Sequence, residues 1–294
     1  MTQNQNTGNM AKHFKKSGFA LLAAVLLMFS DQVFSQVRIY VNTDLEGISG
    51  VYKFSQTREK DTPLNIQACE YFMDDVAAVI RGLIDGGADD IVVLDGHGSQ
   101  VVIPHLMEPG ATYVTGRPRP GAGNLSLLDS TFSAMVMIGF HAMMGTPDGV
   151  LNHTQSSKTE NRYWYNGVES GELAQNAIIA GYYGVPVIMV SGDVATCREA
   201  VKFFGANIVT VPVKKGLSRE AAALYPFDET RQALYDGALK AMSIISTCKP
   251  YKIEFPAKVR MQYLNTVNDR PDPEIITVEG TARDALHILD FEKQ

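Results

Sequence analysis

Cysteine is scarce in this sequence: the chain of 294 residues contains three, Cys69, Cys197 and Cys248. No two of them have CxxC spacing, and the odd count allows one disulfide at most. Cys69 and Cys197 fall in segments with helical periodicity, where a cysteine is expected to be a small buried apolar side chain. We therefore assign no chemistry to the cysteines.

An excess of positive charge is also lacking. Lys and Arg number 26 against 32 Asp and Glu, and no window concentrates the basic side chains. A surface that follows a phosphate backbone needs such a concentration, so we expect no nucleic-acid partner. The hydrophobic fraction of 45% and the charged fraction of 20% are typical of a folded globular protein and exclude a disordered or coiled-coil chain.

The N-terminal apolar run, residues 18–29, is too short to cross a membrane: it has 12 residues, against the roughly 20 that a spanning helix needs. It follows a cluster of lysines at positions 12–16 and precedes the small residue Ser35, an arrangement typical of a secretory signal peptide. We predict a signal peptide over residues 1–35 with cleavage after Ser35, no stable membrane anchor, and a periplasmic or secreted mature protein.

Several catalytic motifs are missing. The sequence contains no HExxH, GxSxG, GxxxxGK[ST] or GxGxxG, which argues against the enzyme classes that carry them. The segment 116–123, rich in glycine and arginine, could touch an anion. Its prolines and the lack of a following helix favour a plain loop.

The sequence does contain short apolar runs that alternate with segments of helical periodicity. The apolar runs are residues 37–41, 91–94, 112–114, 135–138 and 187–190, and the helical patterns are residues 69–83, 172–182 and 194–204. This alternation predicts an α/β fold with crossover helices. Because the apolar runs are continuous, we expect a mainly parallel sheet with helices on both faces.

The alternation ends near residue 213. A long helical stretch is predicted next, followed by three strand-like segments; these are residues 218–245, 252–255, 259–263 and 275–278. We therefore predict an α/β metal-binding catalytic domain over residues 36–213 and a smaller C-terminal α+β portion over residues 214–294. The aromatic segment 163–167 is either a hairpin turn or part of the lining of a substrate pocket.

Potential metal ligands follow three of the predicted strands. Asp44 and Glu46 come directly after the first strand, His97 after the second, and His141 after the strand at residues 135–138. In an open parallel sheet the carboxyl ends of the strands share an edge, and ligand-binding crevices form there. We therefore expect these side chains to converge.

Glu172, at the start of a predicted helix, adds a third carboxylate to the candidate ligands. Three carboxylates and two imidazoles are too many for one tetrahedral zinc ion with an open position. They indicate two metal ions, whose natural chemistry is hydrolysis by an activated water. Zinc suits this mixed set, and manganese, cobalt and iron are alternatives. The predicted ligands are Asp44, Glu46, His97, His141 and Glu172.

Other residues of these segments have predicted roles. Asp44 is expected to bridge the two ions, since a carboxylate can offer one oxygen to each. His153 lies in the loop 149–154, close in sequence to these segments. Asp95 is expected either to orient the imidazole two residues later or to cap a turn. His105 and His287 lie elsewhere and are expected to be structural.

Five motifs together resemble those of a known family. They are TDLEGISG at residues 43–50, DGH at 95–97, GFHA at 139–142, GVLNH at 149–153 and GEL at 171–173. In this order they resemble the motifs of the zinc-dependent D-aminopeptidases associated with dipeptide-transport operons. The similarity spans about residues 37–290.

This resemblance implies that the five predicted ligands hold two zinc ions and that His153 acts in catalysis. We expect His153 to serve as general acid or base. It also implies hydrolysis of N-terminal D-residues such as D-Ala from short peptides, by a ring-like homo-oligomer that encloses the sites. The members that carry this pattern are cytoplasmic, whereas this chain has an export signal. Its substrate is therefore expected to be an envelope or external peptide.

Two other functions stay open at this point. A metallo-amidohydrolase or phosphoesterase would use the same metals on another bond, but no arginine or lysine clamp is evident near the candidate ligands, which counts against phosphate esters. An exported protein that binds a peptide or metal without turnover is the alternative of another class. Five clustered ligands and a further histidine favour an enzyme.

Overall fold

A computed structural model of the chain describes residues 36–98, 100–266 and 273–293. The predicted signal peptide, residues 1–35, lies outside the described residues. The chain from Val37 onward forms one compact unit. None of the helices in the described part of the chain is long and apolar enough to cross a membrane.

The described strands and helices alternate through most of the chain. The strands are β1 (Arg38–Thr43), β2 (Asp90–Asp95), β3 (Thr112–Val114), β4 (Ala134–Ile138), β5 (Arg162–Tyr165), β6 (Val168–Glu169), β7 (Val187–Asp193), β8 (Val209–Ser218), β9 (Ala221–Leu224), β10 (Ala257–Asn265), β11 (Glu274–Ala282) and β12 (Glu292–Lys293). The helices are α1 (Ser55–Arg58), α2 (Pro63–Asp85), α3 (Glu172–Tyr182), α4 (Val194–Phe204) and α5 (Phe227–Met242).

The larger sheet has the strand order β3-β2-β1-β4-β7-β8-β9. All neighbouring pairs in it are parallel except β8 and β9, which are antiparallel. All five residues of β4 are buried, as expected of a central strand covered on both faces. The predicted mainly parallel sheet is confirmed.

Helices cover both faces of this sheet, as predicted. Ile39 and Val41 of β1 pack in a core shared with α2 and α5, whereas Tyr40 points into a second core shared with α3 and α4. Helix α2 begins after the cap Thr62, whose hydroxyl accepts a hydrogen bond from the main-chain N of Asn65. It ends at a glycine pair, Gly86 and Gly87, of which Gly86 is the C-terminal cap.

The smaller sheet is antiparallel, with the order β12-β11-β10-β5-β6. It packs on the same core as α3. Strands β5 and β6 are joined by Asn166 and Gly167, both with positive φ, so the aromatic segment 163–167 is a hairpin.

The prediction of a helix over residues 218–245 was wrong in its first part. Strand β8 continues to Ser218, the chain turns back into β9, and α5 begins at Phe227 after Pro226. Residues 221–224 have high helix propensity, but their pairing with β8 outweighs it. Residues 252–255 form no strand. Residue 213 lies inside β8, and the division of the chain near that residue stays a prediction.

Candidate metal centre

The register of the larger sheet brings three strand ends level. Thr43, the last residue of β1, lies beside Asp95 of β2 on one side and Ile138 of β4 on the other. The loops that leave these three ends therefore begin at the same edge, where parallel sheets form ligand crevices. They carry four of the predicted ligands, and the fifth, Glu172, is the first residue of α3.

Glycines allow the loops after β1 and β4 to approach each other. Gly139 has φ +72°, and a Cβ there would lie 2.2 Å from the main-chain O of Asp44. A Cβ on Gly47 would lie 1.9 Å from the main-chain O of Phe140. The N of Gly47 donates to the O of Gly139 at 2.7 Å. Any larger residue at these positions would force the loops, and the ligands on them, apart.

Asp44 lies at the middle of the cluster and faces two histidines. Its Oδ1 is 3.0 Å from His97 Nδ1, and its Oδ2 is 3.3 Å from His141 Nε2. Glu46 Oε2 lies 3.1 Å from the same His97 nitrogen, and Glu172 Oε1 lies 3.6 Å from His141 Nε2. All five predicted ligands are therefore brought together.

His153 joins this cluster from the loop after β4. Its ring stacks on that of His141 with 3.9 Å between centroids and 13° between planes. Its Nε2 is 3.9 Å from Glu172 Oε1, and its Nδ1 is hydrogen-bonded to the main-chain O of Leu151 at 2.8 Å. The ligand-type atoms of His141, His153 and Glu172 all lie within 4.8 Å of one another. His153 is thus close enough to act on a group bound at the centre.

Main-chain carbonyls orient the other two imidazoles. His97 Nε2 is hydrogen-bonded to the O of Thr57 in α1, and His141 Nδ1 to the O of Ala142, both at 3.0 Å. The opposite nitrogen of each ring therefore faces the carboxylates.

Asp95 does not orient His97, and that alternative was wrong. Its Oδ2 accepts hydrogen bonds from the N of Val101 at 2.8 Å and from the hydroxyl of Thr115 at 2.8 Å. The carboxylate thus fixes the loop after β2, which is the turn-capping alternative. The ring of His97 is instead oriented by Thr57, which lies about forty positions away in the sequence.

Burial and mutual attraction compete in setting the charges of the centre. Burial would raise the pKa of Asp44, but its close contacts with the imidazoles of His141 and His97 hold that pKa well below its usual range. Burial opposes protonation of His141, yet the charges of Glu172 and Asp44 raise its pKa to about 10. A metal ion that binds here would displace this proton.

His153 differs in charge from the other histidines of the cluster. Burial, and then the charge of His141, lower the pKa of His153 to about 3, so this imidazole is neutral at pH 7. Burial also raises the pKa of Glu172 to about 7.

The donor atoms fit divalent metal ions. Glu46 Oε2 and His141 Nε2 are buried and have no hydrogen-bond partner among the described residues. Buried polar atoms normally have a partner, and a cation with mixed imidazole and carboxylate ligands would supply one to both. Asp44, Glu46 and His141 also offer ligand atoms within 4.8 Å of one another.

Lys214 of β8 supports the loop that carries Asp44 and Glu46, and sequence reasoning missed it. Its side chain is fully buried, and its ammonium donates to the main-chain O of Glu46 at 2.6 Å and of Ile48 at 2.8 Å, and also to that of Val51. Burial lowers the pKa of Lys214 to about 8. The sequence offers little to single out Lys214, because an exposed lysine, Lys215, follows it in the same strand.

Two buried carboxylates fix the loops after β4 in a similar way. Asp193 accepts from the main-chain N of Val150, in the loop that leads to His153. Glu199 accepts from the N of Met143 at 3.0 Å and from the hydroxyl of Thr146 at 2.7 Å. Neither residue lies next to a motif, so no sequence pattern indicated these roles.

The centre opens into a cavity of about 600 Å³. Its wall includes four basic side chains, those of Arg58, Arg117, Arg119 and Lys158. Arginine and lysine side chains therefore do lie near the ligands, although no clamp of this kind is evident in the sequence. Spacing along the chain does not show this, because the loop after β3 folds back onto the loop after β2. His105 and His287 do not line this cavity.

Comparisons with known proteins agree with the motif resemblance. A model of the D-aminopeptidase family matches residues 37–270. A D-aminopeptidase of Bacillus subtilis (strain 168) is 31% identical over 187 residues, and the match spans 63% of this chain and 66% of the relative, just under two thirds of its length. The solved structure of the zinc-dependent D-aminopeptidase DppA from Bacillus subtilis, described as a self-compartmentalizing protease, is similar in fold. Its TM-score is 0.78 with 26% sequence identity, over 86% of this chain and 94% of that chain. The chain therefore belongs to the D-aminopeptidase family.

Proposed function

We propose that this protein is an aminopeptidase that uses two zinc ions to remove N-terminal D-residues, such as D-Ala, from short peptides. The observation that carries the proposal is the Asp44 carboxylate, whose oxygens lie 3.0 Å from His97 Nδ1 and 3.3 Å from His141 Nε2. Each oxygen thus faces a separate set of ligands, as in a bridging carboxylate. Family membership and the zinc dependence of the Bacillus subtilis neighbour support the same metal and reaction.

The two ions would share Asp44. Glu46 and His97 would complete one set of protein ligands, and His141 and Glu172 the other. When bound, such a pair of ions activates a water molecule and polarises the carbonyl of the scissile bond. Manganese, cobalt and iron also suit these ligands.

His153 is the residue placed to move a proton. The hydrogen bond from Nδ1 to Leu151 and the stacking on His141 fix the ring, so that Nε2 faces the centre. Because Nδ1 donates to the carbonyl of Leu151, the Nε2 lone pair can accept a proton from the attacking water and return it to the leaving amine.

We also propose that the mature protein is exported and assembles into a ring-like homo-oligomer. The predicted signal over residues 1–35 supports export, and the self-compartmentalizing neighbour supports assembly around enclosed sites. The physiological substrate would then be an envelope or external peptide. N-terminal sequencing of the exported protein should find Gln36 as the first residue.

Hydrolysis of matched D- and L-substrates tests the proposed function. The purified mature protein is assayed with the p-nitroanilides of D-Ala and L-Ala and with the corresponding dipeptides, before and after chelation and after zinc is restored. We expect cleavage that is selective for the D-residue, lost on chelation and regained with zinc. Cleavage of p-nitrophenyl phosphate instead would indicate a phosphoesterase, and peptide binding without cleavage in the zinc-restored protein would indicate a binding protein.

A further inference from the structure

Two arginines lie in the cavity wall close to the metal ligands. Arg117 and Arg119 belong to the loop after β3, and both reach the residues that directly precede His97. Arg117 Nη2 donates to the main-chain O of Gly96 at 3.4 Å, and Arg119 Nη1 donates to that of Asp95. Both side chains line the cavity that also contains Asp44, His153 and the other ligands.

Neither guanidinium has an acidic partner among the described residues, although many arginines of the molecule do. Arg81, for example, lies 2.7 Å from Glu108, and Arg162 lies 2.6 Å from Glu169. The Nε atom of Arg119 is buried and forms no hydrogen bond within the described part of the chain. Burial and the neighbouring positive charge of Arg117 lower the pKa of Arg119. An anion between the two groups would relieve this repulsion.

We propose that Arg117 and Arg119 bind the free C-terminal carboxylate of a dipeptide or tripeptide substrate, and this rests on the proposed function. A guanidinium pairs with a carboxylate through two parallel hydrogen bonds, so it recognises the end of a peptide specifically. One residue of extended chain spans about 3.3–3.6 Å. Gly96 lies close to the cleavage site, since a Cβ on it would be 2.1 Å from the main-chain O of Thr43, the residue before Asp44. A carboxylate one or two residues beyond a scissile bond at Asp44 would therefore reach the wall beside Gly96.

The arrangement gives the cavity two ends of opposite charge. The acidic cluster would hold the cations at the cleavage site, and the arginines would receive the anionic end of the substrate. The enzyme should therefore prefer short peptides with a free C-terminus over the same peptides with a terminal amide.

The test compares D-Ala-Gly with D-Ala-Gly amide on the zinc-loaded enzyme. For the wild type we expect kcat/KM for the free acid to exceed that for the amide by about 10- to 100-fold, mainly through KM. Arg119→Met and Arg117→Met should each remove most of this preference, while kcat/KM for the amide and the zinc content stay at the wild-type values. Arg81→Met, which removes an exposed guanidinium outside the cavity, should keep the full preference.

The outcomes separate this inference from the function on which it rests. Equal kcat/KM for acid and amide in the wild type would overturn the carboxylate site and leave the aminopeptidase intact. Variants that lose activity on acid and amide alike would show that the arginines only support the loop after β2, which also contradicts the inference. If the wild type releases D-Ala from neither compound nor from D-Ala p-nitroanilide, the proposed function fails and the inference falls with it.

Discussion

His153 has different partners from His97 and His141, and this decides its role. The two other rings face Asp44 at 3.0 and 3.3 Å, whereas the nearest carboxylate oxygen to His153 Nε2 is 3.9 Å away. We propose that a histidine held this way works as a base on a bound water or substrate, whereas the closer ligands would hold the metals.

We expect His153→Ala to lower kcat by about 100- to 10,000-fold, the usual contribution of a positioned general acid or base. Its metal content, measured by inductively coupled plasma mass spectrometry, should equal that of the wild type. His105→Ala serves as the control because His105 is exposed in a short turn outside the cavity. A His153→Ala protein that loses one metal per chain would instead make His153 a ligand.

The sequence could predict which residues meet at the centre but not what holds them. Asp44, Glu46, His97 and His141 follow strand ends, and parallel strand ends meet by the geometry of the sheet. His97 is oriented by the main-chain carbonyl of Thr57. Any residue at position 57 has this carbonyl, so the residue type does not indicate the contact. Contacts of main-chain groups cannot be predicted from a pattern of residue types.

Strand β8 stabilises the loop that carries Asp44 and Glu46 through one buried ammonium, that of Lys214. Lys214→Met should leave three buried main-chain carbonyls without their donor, and each such loss costs about 1–3 kcal/mol. We expect the free energy of unfolding to fall by about 3 kcal/mol in urea denaturation at pH 7, together with weaker zinc binding.

Lys215→Met is the matched control for this variant. Lys215 is the next residue of the same strand and is exposed, so its loss should change the free energy of unfolding by less than about 0.5 kcal/mol. Equal stability of the Lys214→Met and Lys215→Met proteins would contradict the supporting role of Lys214.

Helix α2 contributes a pH-dependent contact to the same loop. Asp75 Oδ2 accepts from the main-chain N of Ser49 at 2.9 Å, and burial raises the pKa of Asp75 from 3.8 to about 6. The folded state therefore binds this proton more tightly than the unfolded chain. The contribution of this protonated carboxyl to the free energy of unfolding is fully present below pH 4. It is lost as the pH rises through about 6.

Asp75→Asn should remove this dependence. Between pH 4 and pH 7, the free energy of unfolding of the wild type should fall relative to that of Asp75→Asn by up to about 3 kcal/mol. Asp74→Asn changes the neighbouring exposed carboxylate, and its free energy of unfolding should vary with pH in parallel with that of the wild type. Urea denaturation across this range measures the difference, and parallel curves for all three proteins would refute the assignment.

Helices could be predicted where the apolar periodicity is long, and parallel strands where short apolar runs are continuous. Helix α2 and the parallel strands follow from periodicity and from the glycine pair at the helix end. The hairpin of β8 and β9 does not, because the Ala-rich residues 221–224 suit a helix locally and become a strand only by pairing with Lys214 to Gly216.

At the scale of the whole molecule, the centre depends on segments spread over most of the chain. The ligands come from loops after β1, β2 and β4 and from α3, while β8 and α2 hold the first of these loops in place. The basic cavity wall comes from the loop after β3, and its position could not be predicted because it depends on how that loop folds back.

Whether Asp44 bridges two ions can be measured as the metal content of the purified mature protein, for the wild type and for Asp44→Asn, after zinc loading and gel filtration. We expect about two zinc ions per wild-type chain and fewer than about one in the variant, because both ions lose the shared carboxylate. A wild type that retains one ion or none, or an Asp44→Asn protein that keeps two, would contradict the bridged two-metal centre.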